Sequence, residues 1–308
     1  MPERTIKFNN SLLHPCHWLS WLGLSVAAIL SLMPQPFRHG LGNLLGRYLY
    51  KNNHKRRDVV EKNLRQVFPK IGESELQSKV KESLGWYGKA LFDYSLLFFG
   101  RRSRLNDLVT VRGVEHLKSL KDQERPIILF LAHSVMLEFA VIALSKAGYR
   151  SFGSYKASSN PVLDYIIAKS RCRFTDFVVS REEGLRPLIR GIKSGRIMIF
   201  LPDEDLGLDS AVFAPFFNRS KATLTTPSRL TRLGAASAIA GFVEFDEATK
   251  QYCLNLQPMP DNYPSNDAAI DATYLNEVLE TLIQQSPTQY MWTMKCFKTT
   301  SDADRPFY

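Results

Sequence analysis

The run Pro-Ile-Ile-Leu-Phe-Leu at 126–131 restricts the fold most, because it contains no polar side chain. So short and apolar a run predicts a strand buried on both faces. Further strand candidates lie at 174–180, 196–201, 238–245 and 251–257. Helical patterns at 135–146, 161–170, 184–194, 226–233 and 271–285 separate them. Strands alternating with helices predict an α/β fold with a mostly parallel central sheet flanked by helices. Before this region, 58–68 and 73–99 read as helices, the first ended by Pro69 and the second by Gly100. With no internal repeat, low-complexity tract or long linker, two parts are expected: an N-terminal anchor over 1–37 and one domain over 38–308.

The anchor rests on charge. Between Lys7 and Arg38 no residue is charged at pH 7. The apolar centre, 18–33, begins with Trp18 and Trp21 and is closed by Pro34 and Pro36. A spanning helix needs ~20 apolar residues, a length reached here only by including serines and His17. No small-residue cleavage site follows, which excludes a standard signal peptide. A weak span, a helix in the membrane interface and a buried helix of a soluble domain are the readings this leaves. The formal charge is +10, and 4–57 carries eight Lys or Arg with no Asp or Glu. Such asymmetry points to an anionic partner. The neighbouring Leu and Trp favour membrane lipid over nucleic acid, for which no binding motif is present. The basic segment after the apolar stretch places the rest of the chain on the cytoplasmic side.

Cys16, Cys172, Cys253 and Cys296 include no pair at metal-ligand spacing and read as reduced thiols. Pro15 interrupts His14, Cys16 and His17, so no metal is expected there.

The sharpest local feature is His133 at the end of the buried strand, with Glu138 five residues on. Sites in α/β proteins lie at strand C-termini. On a continuous helix the two side chains would diverge by about 140°, so they meet only if His133 sits in a non-helical cap. A carboxylate on one ring nitrogen fixes the tautomer and leaves the other as a base. Such a pair can deprotonate a hydroxyl for attack on an acyl carbonyl. Asp203 and Asp205, before Gly207, allow a metal pair or a turn, and Asp with Gly favours the turn. Lys221, Arg229 and Arg232 read as a helical stretch, either solvated or a phosphate rim.

The chain resembles the lauroyl/myristoyl acyltransferases of lipid A biosynthesis from about 56 to 298. The resemblance runs through Asn63-Leu64-Arg65, Phe68-Pro69, the His133-x4-Glu138 motif, Tyr155-Lys156, Asn160 to Asp164 and Ser180-Arg181. It continues through Leu185-Arg186, Pro202 to Gly207, Phe213 to Phe217, Tyr290-Met291-Trp292 and Phe297-Lys298. It implies a glycerol-3-phosphate acyltransferase-like fold, a membrane anchor at the inner membrane and an acyltransferase domain on its cytoplasmic side. It also implies an acyl-acyl-carrier-protein donor, a lipid A precursor as acceptor and no cofactor. His133 and Glu138 are the implied catalytic pair. Arg181, Lys156, Asn160, Asp203 and Asp205 are the implied substrate contacts. Lys156 and Ala157 stand where the family has Arg and Pro, and Thr293 to Cys296 replaces a His-Arg-Arg run. Arg offers phosphate a planar fork and Lys a point charge, so these departures bear on headgroup recognition. Rival expectations are transfer to another membrane lipid, thioester hydrolysis on the same scaffold, and a non-catalytic membrane-binding protein.

Overall fold

The computed structural model describes residues 8–155, 157–180, 183–300 and 306–308. Four helices come first: α1 (Trp18–Leu32), α2 (Gln35–Asn52), α3 (His54–Val67) and α4 (Glu73–Phe99). Pro34 breaks α1 from α2, and Gly100 ends α4, whose first turn carries Glu73 and Glu75 at the positive end of its dipole. α5 (Arg102–Asp107), β1 (Val109–Arg112), α6 (Val114–Asp122), β2 (Ile127–Leu131), α7 (Phe139–Lys146), β3 (Ser151–Tyr155) and α8 (Pro161–Arg171) follow. Next come β4 (Phe177–Ser180), α9 (Leu185–Lys193), β5 (Ile197–Phe200) and a separate hairpin of β6 (Ala211–Phe216) and β7 (Arg219–Leu224). α10 (Thr226–Gly234), β8 (Ser237–Asp246), β9 (Gln251–Pro258) and α11 (Ala268–Gln285) complete the order.

The main sheet has seven strands in the order β1-β9-β8-β2-β5-β3-β4. Every neighbouring pair is parallel except β8 with β9. The expected mostly parallel sheet is therefore present. The reversal at β9 follows from a connection too short for a crossover: Asp246 accepts hydrogen bonds from the backbone of Ala248 and Thr249 and turns the chain back. β2 is buried along its whole length. Its residues alternate between two cores, Ile128 and Phe130 facing α9, α10 and α11, and Ile127, Leu129 and Leu131 facing α7.

Two expectations are corrected. The helix expected from 135 begins only at Phe139, because the Ser134 hydroxyl accepts from Met136 N–H and holds 134–138 in turns. Lys221 lies on β7, not on a helix, and is fully buried.

Pro15–Leu32, of mean hydropathy 1.4, is long and apolar enough to cross a membrane, and no other described segment is. Trp18, Leu19, Leu22, Ile29 and Leu32 on it are exposed. Its C-terminal end is fastened to the domain, since Arg104 donates to the carbonyls of Ser31 and Met33 and Arg38 donates to Met33. Arg38 also pairs with buried Asp93 of α4 at 2.8 Å, which further accepts from Tyr252 of β9 and contacts His39. α2 crosses α4 at near-backbone contact through glycines: a Cβ on Gly46 would lie 2.6 Å from Gly85 Cα.

Candidate active site

His133 sits two residues beyond β2, in the turn before α7. A C-terminal segment holds that turn: Met291 N–H donates to the His133 carbonyl, Val135 N–H donates to Gln289, and Ser134 bridges to Tyr290. Asn63 of α3 fixes the segment in turn, donating to the carbonyls of Trp292 and Met294 and accepting from Tyr308.

The carboxylate on the histidine ring is Asp203, not Glu138. His133 Nδ1 lies 2.6 Å from Asp203 Oδ1, while His133 N–H and the Tyr290 hydroxyl both donate to Oδ2 at 2.8 Å. β2 and β5 are neighbours with Phe130 opposite Phe200. His133 and Asp203 stand three residues beyond those partners, so the sheet register brings them together. Glu138 is held elsewhere: both of its oxygens bond to Arg171 of α8, from Nε at 3.0 Å and from Nη2. The local turn explains this, because α7 starts after Glu138 and directs its side chain toward α8 rather than back over His133.

Asp203 is buried, which by itself raises a carboxyl pKa. Its neighbour His133 and three hydrogen bonds outweigh burial and hold it below the usual value. An ionised carboxylate only accepts. Nδ1 therefore carries the proton, and Nε2 is the basic nitrogen. Glu204 Oε1 is 3.8 Å from Nε2. Burial and the nearby Asp203 push the Tyr290 phenol well above its ordinary value, so it remains a donor.

The other expected residues divide. Asp205 does shape the turn, accepting from Gly207 N–H, and it also fastens Thr299 through backbone and hydroxyl. Asn160 is a helix cap, accepting from the N–H groups of Val162 and Leu163, and its amide donates to Ser20 of α1. Lys156 and Arg181 lie outside the described residues. No group of three or more His, Cys, Asp or Glu among the described residues is arranged to hold a metal. Tyr290 and Arg171 were not singled out by sequence reasoning. Tyr290 had a signal in the Tyr290-Met291-Trp292 motif, whereas Arg171 had none.

Two small apolar cavities meet the Glu138–Arg171 pair. One, of about 100 Å³, is lined by Leu97, Phe98, Ile167 and Phe174 among others. The other, of about 60 Å³, is bounded by Leu131 of β2, Gly153 of β3, Val178 of β4 and Leu201 after β5. A base at the C-terminal end of a central strand can activate a hydroxyl for attack on an acyl carbonyl.

Comparison with known proteins agrees with that chemistry. The family model of bacterial lipid A biosynthesis acyltransferases matches residues 5–299. The chain is 30% identical to the lipid A biosynthesis lauroyltransferase of Escherichia coli K12, covering 95% of each chain. It is 28% identical to the palmitoleoyltransferase of the same organism, covering 98% of each, and 27% identical to its myristoyltransferase, covering 95% of this chain and 91% of that one. With a model match over nearly its whole length and this similarity, the chain belongs to the bacterial lipid A biosynthesis acyltransferases and is an acyltransferase enzyme.

Proposed function

We propose that this enzyme transfers a fatty acyl chain of the lauroyl or myristoyl class from acyl-acyl carrier protein to a hydroxyl of a 3-hydroxyacyl chain on a lipid A precursor. The observation that carries the reading is His133 hydrogen-bonded through Nδ1 to buried Asp203 at the C-terminal ends of neighbouring strands. Nε2 takes the hydroxyl proton while the oxygen attacks the thioester carbonyl. The C–O bond forms, the tetrahedral oxyanion collapses, the C–S bond breaks, and the imidazolium returns its proton to the carrier thiolate. Glu138 acts in this scheme by holding Arg171 at the cavity wall. Arg181 is assigned to the oxyanion and Lys156 to acceptor phosphate.

The enzyme is assigned to the inner membrane through the exposed apolar face of α1, its catalytic domain on the cytoplasmic side. The anionic carrier protein would dock by attraction to basic surface. The test is mass spectrometry of products from purified enzyme, labelled acyl carrier protein and a lipid A precursor. An acylated precursor is expected. Free fatty acid alone would show hydrolysis, and acylation of phospholipid instead would show a different acceptor.

A further inference from the structure

The crossing of α2 and α4 leaves a cavity of about 480 Å³ between the two helices. Arg47 and Lys51 of α2 and Lys81 and Lys89 of α4 line it, against one carboxylate, Glu82. Glu82 is already engaged, accepting from the Thr288 hydroxyl at 2.9 Å and from the Trp86 indole. Lys89 has a carboxylate partner, Glu247 at 3.7 Å. Arg47, Lys51 and Lys81 have none among the described residues, and all three are exposed. Like charges around one cavity repel, and an anion between them relieves the repulsion. Beside the cavity runs an apolar stripe. Phe37, Leu44 and Tyr48 recur at seven- and four-residue spacing on one exposed face of α2. Gly42 and Gly46, which meet α4, occupy the opposite face. A helix with an exposed apolar stripe flanked by cations suits a membrane interface, and α2 follows the exposed apolar α1 after only the break at Pro34. None of the residues lining this cavity borders the two cavities at the Glu138–Arg171 pair.

We propose that the cationic cavity between α2 and α4 is a headgroup site for an anionic phospholipid, distinct from the acceptor, whose acyl chains lie along the Phe37–Leu44–Tyr48 stripe. The inference rests on the reading of α1 as a membrane anchor. A phosphate diester in the cavity takes charge-assisted hydrogen bonds from Arg47, Lys51 and Lys81. A zwitterionic lipid brings its own cation, which the same side chains repel. An acidic carrier protein would also be drawn to these charges, but it leaves the apolar stripe beside them unexplained. An anionic lipid accounts for both, with its phosphate among the cations and its chains on Leu44 and its neighbours.

The test is native mass spectrometry of the full-length protein after incubation in detergent with phosphatidylglycerol and phosphatidylcholine of the same chain length. Phosphatidylglycerol should be retained in preference, by about tenfold or more. Each cation removed should weaken its retention about fivefold, so Lys51→Gln and Lys81→Gln together should weaken it about 25-fold. Neither lysine makes an ion pair, so the double variant should melt with the wild type, and the two single variants read the same effect if it does not. Equal retention of the two lipids, or wild-type retention by the variants, overturns the proposal. Displacement of phosphatidylglycerol by inorganic phosphate would make the cavity a simple phosphate site and overturns it. Loss of acyl carrier protein binding with lipid retention intact would make it a protein-docking site and overturns it. A raised KM for the lipid A precursor in detergent would make it the acceptor's own site and overturns it as well. Flotation with phosphatidylcholine vesicles reads the anchor separately: if the wild-type protein does not float, the reading of α1 fails, and lipid retention alone judges the cavity.

Discussion

Asp203→Asn separates the carboxylate that the structure places on His133 from the one that spacing pointed to. Asp203 accepts three hydrogen bonds, from His133 Nδ1–H, His133 N–H and the Tyr290 hydroxyl. An amide of the same shape has one oxygen and one NH2 group. With the oxygen toward the backbone N–H and Tyr290, the NH2 group meets Nδ1 and forces the ring proton onto Nε2. With the amide flipped, NH2 meets the backbone donor, leaving a buried polar group unsatisfied at about 1–3 kcal/mol. The first orientation wins, and the base is blocked. The expected loss in kcat is that of a wrong tautomer, about 10⁴-fold, or roughly 5.5 kcal/mol at ~1.36 kcal/mol per decade. Initial rates with labelled acyl carrier protein measure it, with circular dichroism confirming the fold. Glu138→Gln should differ in kind: loss of the Arg171 pair should raise KM for the acyl donor without moving the acidic limb. A folded Asp203→Asn enzyme within tenfold of wild type refutes the reasoning.

His133→Ala should lower turnover by ~10²–10⁴-fold while the protein still folds and pellets with membranes, as carbonate-wash fractionation would show. Gly46→Ala should destabilise the α2–α4 crossing by about 1–3 kcal/mol, since its Cβ meets backbone at 2.6 and 2.8 Å; thermal melting reports this. The folded pKa of Asp203 lies below 3.8, so its stabilisation is complete above that value and is lost as pH falls through the lower folded value. Melting should thus be insensitive to Asp203 at pH 5–7 and should fall below about pH 4, less steeply in Asp203→Asn.

The parallel part of the sheet was legible because β2 and β5 are short apolar runs buried on both faces, which sequence shows directly. The β6–β7 hairpin was not legible. Its turn residues Phe217 and Asn218 both have positive φ, 47° and 58°, and phenylalanine does not announce such a turn. Pro215 within β6 also argues against a strand. Missing the hairpin put Lys221 on a helix surface and hid its burial. His133 was legible from its place at a strand end. Its carboxylate was not, because helical spacing favours a residue nearby, whereas register between neighbouring strands selected one 70 positions away. The exposed face of α1 matches the apolar stretch read from charge, yet nothing in sequence signalled that Arg38 and Arg104 fasten its end.

The meeting of His133 and Asp203 depends on a difference in length rather than on any length itself. Each stands three positions past a paired phenylalanine, Phe130 and Phe200. Deleting one residue between Phe130 and His133 would draw the ring back by about 3.3 Å and turn it to the opposite side of the sheet, with every side chain still present. The same deletion made in both segments would keep the two in step. Insertions in the loops between His133 and β5 leave this relation untouched. Variants in this region should therefore be judged by whether an indel is matched across the two strand ends, and an alignment that scores substitutions alone would miss the change that matters most.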